Sequence, residues 1–389
     1  MLETPQTAKG AVRVALLTSF PPRRCGIATF SRDLCAAWEE SAAVQARIIA
    51  IDEIDRGYEY PPVVRWRLAD RCQADYREVA ASVGQSDTDV VVLQHEYGLF
   101  GGPAGEMVLT FLAEVPRPVV TILHTVMSDP TPDVADVTRR ICASSAAIVV
   151  GGPRSATVLV ERYGVADDTI VVIPHGVPDT GPEPSRDGQA PELAPIAMSF
   201  GFIGPNKGLE NAIAALPMVV HQVPGLRYRI VGTQHPGELH RAGDTYRRGL
   251  ERLADELGVA SHVEFIDRFV TDAELSELLA GAAVCLLPYC DPEQSVSGTM
   301  ARALGAGRAL IASTFRHALD IADRGAVHLV PMRNPSAIAS ALSTVLTDRE
   351  YRRLLERRAL AVAATMRWSV VADTYARLLR HVTCDRVRP

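Results

Sequence analysis

Residues 197–208, AMSFGFIGPNKG, place an apolar run directly before a glycine-containing loop, and a helical pattern follows over 208–221. The start of the chain has the same form, since residues 12–26, VRVALLTSFPPRRCG, lead from an apolar run into a helical pattern. A strand, a glycine loop and a helix in this order begin a Rossmann-like unit. The two stretches therefore predict two such units in one chain.

Short apolar runs recur along both halves and alternate with helical patterns. Continuous apolar runs of this kind are typical of parallel strands that are buried on both faces. The predicted fold class is therefore α/β, with two Rossmann-like doubly wound domains facing across a cleft. The predicted strands of the first half, besides the opening one, are 46–51, 90–93, 119–123, 147–150 and 170–173, and those of the second are 197–203, 228–231, 263–266, 284–287, 309–312 and 327–330.

The domain boundary is predicted from a segment rich in Pro, Gly, Asp and Glu between Pro178 and Pro195. We therefore expect an N-terminal acceptor domain over 1–180, a linker over 181–195 and a C-terminal donor domain over 196–365. Residues 366–389 are expected to form a C-terminal helix that packs back on the N-terminal domain.

Composition excludes several classes of protein. Of the 389 residues, 47% are hydrophobic and 22% charged, as in ordinary globular proteins, and a net charge of −6 argues against a dedicated nucleic-acid binder. The first ten residues are polar and no apolar run is long enough to span a bilayer, so we expect a cytoplasmic protein with at most peripheral membrane contact. Seven scattered cysteines without a CxxC pair predict neither a metal site nor a disulfide framework.

Lys207 is the strongest candidate for binding an anion. The chain has only two lysines, Lys9 and Lys207, and the second lies in a glycine loop where a helix begins. Free backbone N–H groups at a helix start and a compact ammonium both suit a phosphate. Gly26 holds a similar place before the first helix, where a missing Cβ would let a diphosphate approach or would merely serve a rigid turn.

Three further groups lie where strands end. The segment 293–299, EQSVSGT, offers hydroxyls and N–H groups at a helix start, which suit sugar and phosphate oxygens or simple capping. His124 follows the strand 119–123 and should project from the edge of the first sheet. His95, Glu96 and Tyr97 follow the strand 90–93 and form either an acceptor-side group or an ordinary polar turn.

In their order along the chain, the motifs SFPPRRCGIATF (19–30), PHGV (174–177), GPNKGLE (204–210) and PEQSVSGTMARALGAG (292–307) resemble the GT4 family of retaining glycosyltransferases, which have the GT-B fold. Together with GTQHPGE (232–238), they resemble a bacterial branch linked to mannose-containing glycans. This resemblance points to GDP-mannose, with a UDP-hexose as the other candidate donor.

The resemblance implies a role for each matched position. Gly26 would lie over the donor diphosphate, His124 would approach the transferred sugar, and Lys207 would hold the diphosphate. Asp267 and Arg268 would lie near the base. The loop residues that would contact sugar hydroxyls and phosphates are Gln294, Ser295, Ser297, Gly298 and Thr299.

Two positions depart from the family. An arginine usually precedes the lysine by five or six residues, where this chain has Phe202 and Gly201. Two glutamates eight apart are also usual, where this chain has Gln294 and Arg302, with Glu293 as a neighbour able to replace the first. Arg302 cannot accept hydrogen bonds from a ribose, so it would meet phosphate or an acidic neighbour instead. Arg247 is the candidate for the missing second cation.

The predicted reaction transfers a hexose from a nucleotide diphosphate sugar to a hydroxyl of a glycan or small acceptor, with retention and without metal or other cofactor. The catalytic candidates are His124, Lys207 and Glu293, and charge growing on the diphosphate would be stabilised electrostatically. Two alternatives stay open, a catalytically silent subunit that binds a nucleotide sugar and a GT-B nucleotide-sugar epimerase. A dehydrogenase is disfavoured because no GxGxxG follows either opening strand.

Overall fold

The structure is a computed structural model that describes residues 10–53, 57–179, 195–234 and 244–384. The chain forms two compact units. The first consists of Met1–Gly176 together with Trp368–Pro389, and the second of Val177–Arg367. The predicted linker, 181–195, lies outside the described residues except for Pro195.

The first unit contains a sheet of seven parallel strands in the order β3-β2-β1-β4-β5-β6-β7. The order reverses between β1 and β4, the point at which doubly wound sheets bind their ligands. The strands are β1 Val12–Thr18, β2 Val44–Asp52, β3 Val64–Ala69, β4 Val90–His95, β5 Val119–Leu123, β6 Ala147–Val150 and β7 Ile170–Val172. The helices between them are α1 Gly26–Ser41, α2 Gln73–Gln85, α3 Val108–Glu114, α4 Pro132–Ala143 and α5 Pro153–Val158, the last continued by a π-helical turn at Leu159–Tyr163.

The second unit contains a sheet of six parallel strands in the order β10-β9-β8-β11-β12-β13. Its reversal lies between β8 and β11. The strands are β8 Ile196–Phe200, β9 Arg227–Val231, β10 Val263–Ile266, β11 Val284–Leu287, β12 Ala309–Ser313 and β13 His328–Val330. The helices are α6 Leu209–Val220, α7 Thr245–Glu256, α8 Asp272–Ala280, α9 Gly298–Gly305, α10 Arg316–Ala322, α11 Pro335–Thr347 and α12 Arg349–Ala364.

The last described helix, α13 (Trp368–Cys384), belongs to the first unit although it follows the whole of the second in sequence. Its buried face joins the same apolar cluster as α1, and the ring of Tyr375 meets Trp38 edge-on at 6.0 Å between centroids. The first stretch of this unit ends at Gly176, which packs against Trp368. A Cβ on Gly176 would come within 2.2 Å of the indole. The first unit is thus built from two separate stretches of chain.

The predicted fold class of two Rossmann-like parallel-sheet domains is confirmed. The predicted strands 119–123, 147–150, 263–266 and 284–287 coincide with β5, β6, β10 and β11. The edge strand β3 was not predicted, because the exposed Arg65 and Arg67 interrupt its apolar character. No described helix has the length and apolarity needed to cross a bilayer.

Candidate functional site

Lys207 closes a tight 3₁₀ turn, Pro205–Lys207, that links β8 to α6. The next residue, Gly208, has φ +61°, and a Cβ there would lie 2.1 Å from the carbonyl oxygen of Pro288. A backbone hydrogen bond of 2.9 Å from Cys290 N–H to the Asn206 carbonyl joins the same two loops. The lysine turn therefore packs directly on the loop that follows β11, and only glycine fits at the contact.

The side chain of Lys207 lies on the face of Tyr289, with Nζ 4.0 Å from the ring centroid. Tyr289 is 3% exposed and stacks on Phe315, at 4.8 Å between centroids. Burial alone would raise the pKa of the Tyr289 phenol, but the positive charge of Lys207 and hydrogen bonds with Ser297, Thr299 and Lys207 bring it below its ordinary value. The ammonium and the phenol thus form one coupled polar group.

This pair lines a small, largely apolar pocket at the carboxyl ends of β8, β9 and β11. Other residues of its lining come from the loop after β8 and from the start of α9, and they include Gly201, Phe202 and Thr299. Three of the predicted donor-binding residues, Phe202, Lys207 and Thr299, therefore share one pocket, where ligands of doubly wound sheets bind. Tyr289 is a lining residue that the sequence did not predict.

The polar side chains of the loop 293–299 differ in what they contact. Ser297 caps α9, since its Oγ accepts from the N–H of Met300 at 3.1 Å, and Ser295 is buried. Gln294 donates through Nε2 to the carbonyl of Val296 at 2.6 Å. The capping interpretation therefore holds for Ser297. Gly298 is the first residue of α9, and Thr299 reaches the pocket.

The first two residues of α10 hold this loop in place. Arg316 donates to Glu293 Oε2 at 2.5 Å and to Ser295 Oγ at 3.0 Å, and its own side chain is almost fully buried. Nδ1 of His317 accepts from the N–H of Ser297 at 3.0 Å. Glu293, predicted as a catalytic carboxylate, is therefore paired with a cation. Sequence reasoning missed Arg316 and His317, because nothing in the spacing links them to the loop.

Two predicted cations of the donor site also have carboxylate partners. Arg302 contacts Asp272 at 2.7 Å. Of its two predicted partners, a phosphate or an acidic neighbour, the structure shows the acidic neighbour. Arg247 lies among Asp244, Glu251 and Asp267, at 2.6, 2.6 and 3.2 Å. Three carboxylates compensate the charge of Arg247, which makes it a poor candidate for a second phosphate-binding cation.

The region predicted to lie near the base contains an ion pair and an exposed aromatic ring. Arg268 contacts Glu274 at 2.9 Å. Phe269 is 54% exposed, and its ring lies 6.0 Å from that of Phe202, between centroids. Phe202 is one of the two positions where proteins of the GT4 family usually have arginine. In this chain it therefore adds an aromatic surface to the pocket instead of a charge. Residues 235–238 of GTQHPGE lie outside the described residues.

The first unit presents Gly26 at the start of α1. Cys25 caps this helix through Sγ, which accepts from the N–H of Ala28 at 3.4 Å. Among the described residues, no atom lies within 4 Å of the position that a Cβ on Gly26 would take, apart from its chain neighbours and the backbone of α1 itself. Packing within the described chain therefore does not require glycine here, and the space beside the helix start is open.

His124 lies directly after β5, as predicted, and is partly buried. Its Nε2 shares a short hydrogen bond with Oε1 of Gln94, and its ring meets Phe30 edge-on at 5.2 Å between centroids. Burial, with His175 and His95 nearby, lowers the pKa of His124 to about 3. The imidazole is therefore neutral at physiological pH and would contact a sugar as a hydrogen-bonding group, not as a cation.

His95, predicted to belong to an acceptor-side group or to an ordinary polar turn, is 0% exposed and stacks on Phe100. Neither of its ring nitrogens has a hydrogen-bond partner among the described residues, and burial lowers its pKa to about 4. Glu96 accepts from Thr125 Oγ1 at 2.7 Å. The Tyr97 hydroxyl lies 2.8 Å from that of Thr138. The side chains of Glu96 and Tyr97 are thus bonded to residues after β5 and in α4, and both are partly exposed.

Comparison with known proteins gives a family match in the second unit. Residues 194–348 match the family model described as Glycosyl transferases group 1. This segment contains Lys207, Tyr289 and the loop 293–299. Among the described residues, no group of three or more His, Cys, Asp or Glu side chains is arranged to hold a metal ion.

Matching curated relatives include a mannosyltransferase and a glycosyltransferase. A phosphatidyl-myo-inositol mannosyltransferase of Mycolicibacterium smegmatis is 30% identical over 219 residues, which cover 55% of this chain and 52% of that protein. A D-inositol 3-phosphate glycosyltransferase of Nocardia farcinica is 28% identical over 249 residues, which cover 60% of this chain and 52% of that protein. The chain thus spans about half the length of the curated relatives it matches.

Solved structures share the fold along nearly the whole chain. A glycosyltransferase from Rickettsia africae has a TM-score of 0.74 at 13% identity, covering 96% of this chain and 98% of that one. Anabaena HepE, solved in complex with UDP-glucose, has a TM-score of 0.72 at 14% identity, covering 95% and 99%. At these identities the likeness shows the fold alone, which is that of GT-B glycosyltransferases.

Proposed function

We propose that this protein is a retaining glycosyltransferase that uses a nucleotide diphosphate sugar and needs no metal ion. One observation carries the proposal: a lysine turn and a hydroxyl-bearing helix start line one pocket at the carboxyl ends of parallel strands, through Lys207 and Thr299. The match to Glycosyl transferases group 1 over 194–348 includes this pocket and supports the proposal.

In this proposal Lys207 neutralises the charge that grows on the diphosphate as the sugar departs. The N-terminus of α9, at Gly298 and Thr299, adds backbone N–H groups and a hydroxyl for the same oxygens. Gln294, Phe202, Asp267 and Arg268 stay candidates for contacts with the sugar or the base. Gly26 and His124 of the first unit stay candidates for the diphosphate and the sugar.

We propose direct transfer of the sugar to the acceptor, because Glu293 already has a cationic partner. Glu293 is paired with Arg316, so we do not assign it the role of a nucleophile that would form a covalent sugar intermediate. The bond from the anomeric carbon to the diphosphate oxygen breaks, and the acceptor oxygen bonds to that carbon on the same face. The acceptor proton passes to the departing phosphate oxygen, which completes the exchange with retention.

We further propose GDP-mannose as the donor and a hydroxyl of an inositol-containing molecule as the acceptor. The support is the activity of similar proteins, which include a phosphatidyl-myo-inositol mannosyltransferase and a D-inositol 3-phosphate glycosyltransferase. UDP-glucose is the donor to compare, since it is bound in the HepE structure.

A second candidate function is a silent subunit that binds a nucleotide sugar without transferring it. The ion pairs of Arg316 with Glu293 and of Arg302 with Asp272 favour it, because both acidic partners are engaged by arginine. Binding would persist in such a protein, through Lys207, while turnover would not occur.

Calorimetry with GDP-mannose, UDP-glucose and UDP-N-acetylglucosamine in the presence of a chelator separates the candidates. We expect one donor to bind and Lys207→Ala to weaken it about 10- to 100-fold, the size of a charge-assisted hydrogen bond or two. The matched control is Arg248→Ala, which removes a surface cation of α7 whose side chain is 73% exposed.

Turnover is then followed as release of the nucleoside diphosphate with myo-inositol, inositol phosphates or phosphatidylinositol vesicles. Transfer to an acceptor supports the enzyme, and donor binding without transfer or hydrolysis supports the silent subunit. Conversion of the donor sugar to its epimer would identify an epimerase. If no donor binds, the proposed function is rejected.

A further inference from the structure

Lys207 is held differently from three arginines of the same unit. Arg247, Arg302 and Arg316 each contact at least one carboxylate. No carboxylate in the described part of the chain pairs with Lys207, which instead contacts Tyr289, through the ring face at 4.0 Å and through the phenol. An ion pair would hold the ammonium but cancel its charge, whereas an aromatic ring attracts the cation through its quadrupole and leaves the net charge in place.

Tyr289 is itself held rigidly on three sides. Its ring stacks on the fully buried Phe315, and its carbonyl accepts from Ser313 Oγ at 2.6 Å. Its hydroxyl lies 3.5 Å from Oγ of Ser297, the residue that caps α9. A side chain fixed in this way offers Lys207 one defined surface, next to the helix start that lines the same pocket.

The geometry points to Tyr289 as the positioning residue of the anion site: its ring holds the Lys207 ammonium beside the N-terminus of α9 without neutralising it. This inference rests on the proposed function for its ligand, the diphosphate of a nucleotide sugar. A lysine side chain has four rotatable bonds, so a surface that restricts it lowers the entropy lost when the phosphate binds.

The contact can be measured without any nucleotide. Lysine labelled with ¹³C at Cε gives signals from only Lys9 and Lys207, because the chain has no other lysine. Lys207→Arg assigns the two signals. Protons above an aromatic ring are shielded, so we expect the Lys207 Cε protons upfield of those of Lys9. The shift should be retained in Tyr289→Phe and lost in Tyr289→Leu.

Binding of GDP and UDP by calorimetry tests the consequence for the ligand. We expect Tyr289→Leu to weaken the bound nucleotide about five- to tenfold, the range of a partly desolvated cation–π contact, and Tyr289→Phe to weaken it less. In a Lys207→Ala background, Tyr289→Leu should cause no further loss, because the two side chains act as one unit. If Tyr289→Leu does not fold, Tyr289→Met provides an apolar side chain that adapts its shape.

The inference is overturned if the Lys207 signal is not shifted, or if Tyr289→Leu leaves that signal unchanged. It is also overturned if the losses from Tyr289→Leu and Lys207→Ala multiply in the double variant. If the wild-type protein binds no nucleotide, the proposed function fails. The labelling comparison still decides whether Tyr289 positions Lys207.

Discussion

Nη2 of Arg316 lies 2.5 Å from Oε2 of Glu293, and Arg316 is only 6% exposed. The same guanidinium donates to Ser295, so one buried cation fixes both the carboxylate and a hydroxyl of the loop before α9. The next residue, His317, binds the backbone of Ser297. The start of α10 therefore sets the conformation of the segment that carries five of the predicted donor contacts.

Removing this cation should destabilise the protein more than removing a cation that pairs with an exposed partner. We expect Arg316→Met to lower the free energy of unfolding by about 2–4 kcal/mol, because it leaves the Glu293 carboxylate without its buried partner. Arg302→Met is the matched control. Its partner Asp272 is 58% exposed, so the loss should be below about 1 kcal/mol. Urea denaturation measures both, and equal losses would contradict the prediction.

The contact between the lysine turn and the loop after β11 makes a prediction for Gly208. Gly208→Ala should cost about 2 kcal/mol or more, because a left-handed residue then carries a Cβ against the carbonyl oxygen of Pro288. Gly249→Ala, in the middle of α7 with open space at its Cβ position, should instead stabilise by about 0.5–1 kcal/mol. Thermal unfolding distinguishes the two signs. A neutral Gly208→Ala would mean that the two loops can separate.

The buried histidine His95 predicts how stability depends on pH. Its folded-state pKa of about 4 is below that of the unfolded chain, so the unfolded state binds the proton first as pH falls. The stability that depends on the neutral imidazole is thus complete above about pH 6.5 and is lost toward pH 4. This group alone should change the free energy of unfolding by about 1.4 kcal/mol for each pH unit within that window.

The test compares urea denaturation at pH 7, 6, 5 and 4.5. His95→Leu should reduce the slope, while His124, whose pKa is lowered to about 3, keeps contributing in the same direction. His221→Leu makes the same replacement at an exposed position and is the control for the substitution itself. A slope that does not change in His95→Leu would show that His95 does not titrate on unfolding in this range.

Phe269 gives a prediction for the nucleobase. If the exposed Phe269 ring next to Phe202 stacks on the base, Phe269→Ser should weaken GDP binding about fivefold or more, the size of a base–aromatic contact. Binding of pyrophosphate, which has no base, should not change. Met218→Ser replaces another exposed apolar side chain of the same unit and is the control. If Phe269→Ser weakens the binding of GDP and of pyrophosphate equally, Phe269 does not contact the base.

The strands and the lysine loop could be predicted from the sequence because their signals are local. A buried parallel strand such as β11 is a continuous apolar run, and Lys207 stands out in a chain that otherwise uses arginine. The edge strand β3 escaped prediction because one of its edges is unpaired and its arginines reach solvent. A local apolar pattern cannot identify such a strand.

Partners within the site depend on the tertiary fold and could not be predicted. Arg316 and Glu293 are 23 residues apart, and His317 and Ser297 are 20 apart, so no motif spacing links them. The burial of His95 could not be predicted for a related reason. A polar residue at the end of a strand can be covered by the turn that follows it, and the ring of Phe100 stacks on His95 in this way.

The place of α13 has a consequence for synthesis of the chain on the ribosome. Its apolar face completes the core that α1 and the first sheet begin, through contacts such as Tyr375 with Trp38 and Trp368 with Phe30. The second unit, Val177–Arg367, is translated in full before this helix exists. A nascent chain should therefore complete its second unit first and keep the α1 surface of its first unit open to chaperones until α13 has been synthesised.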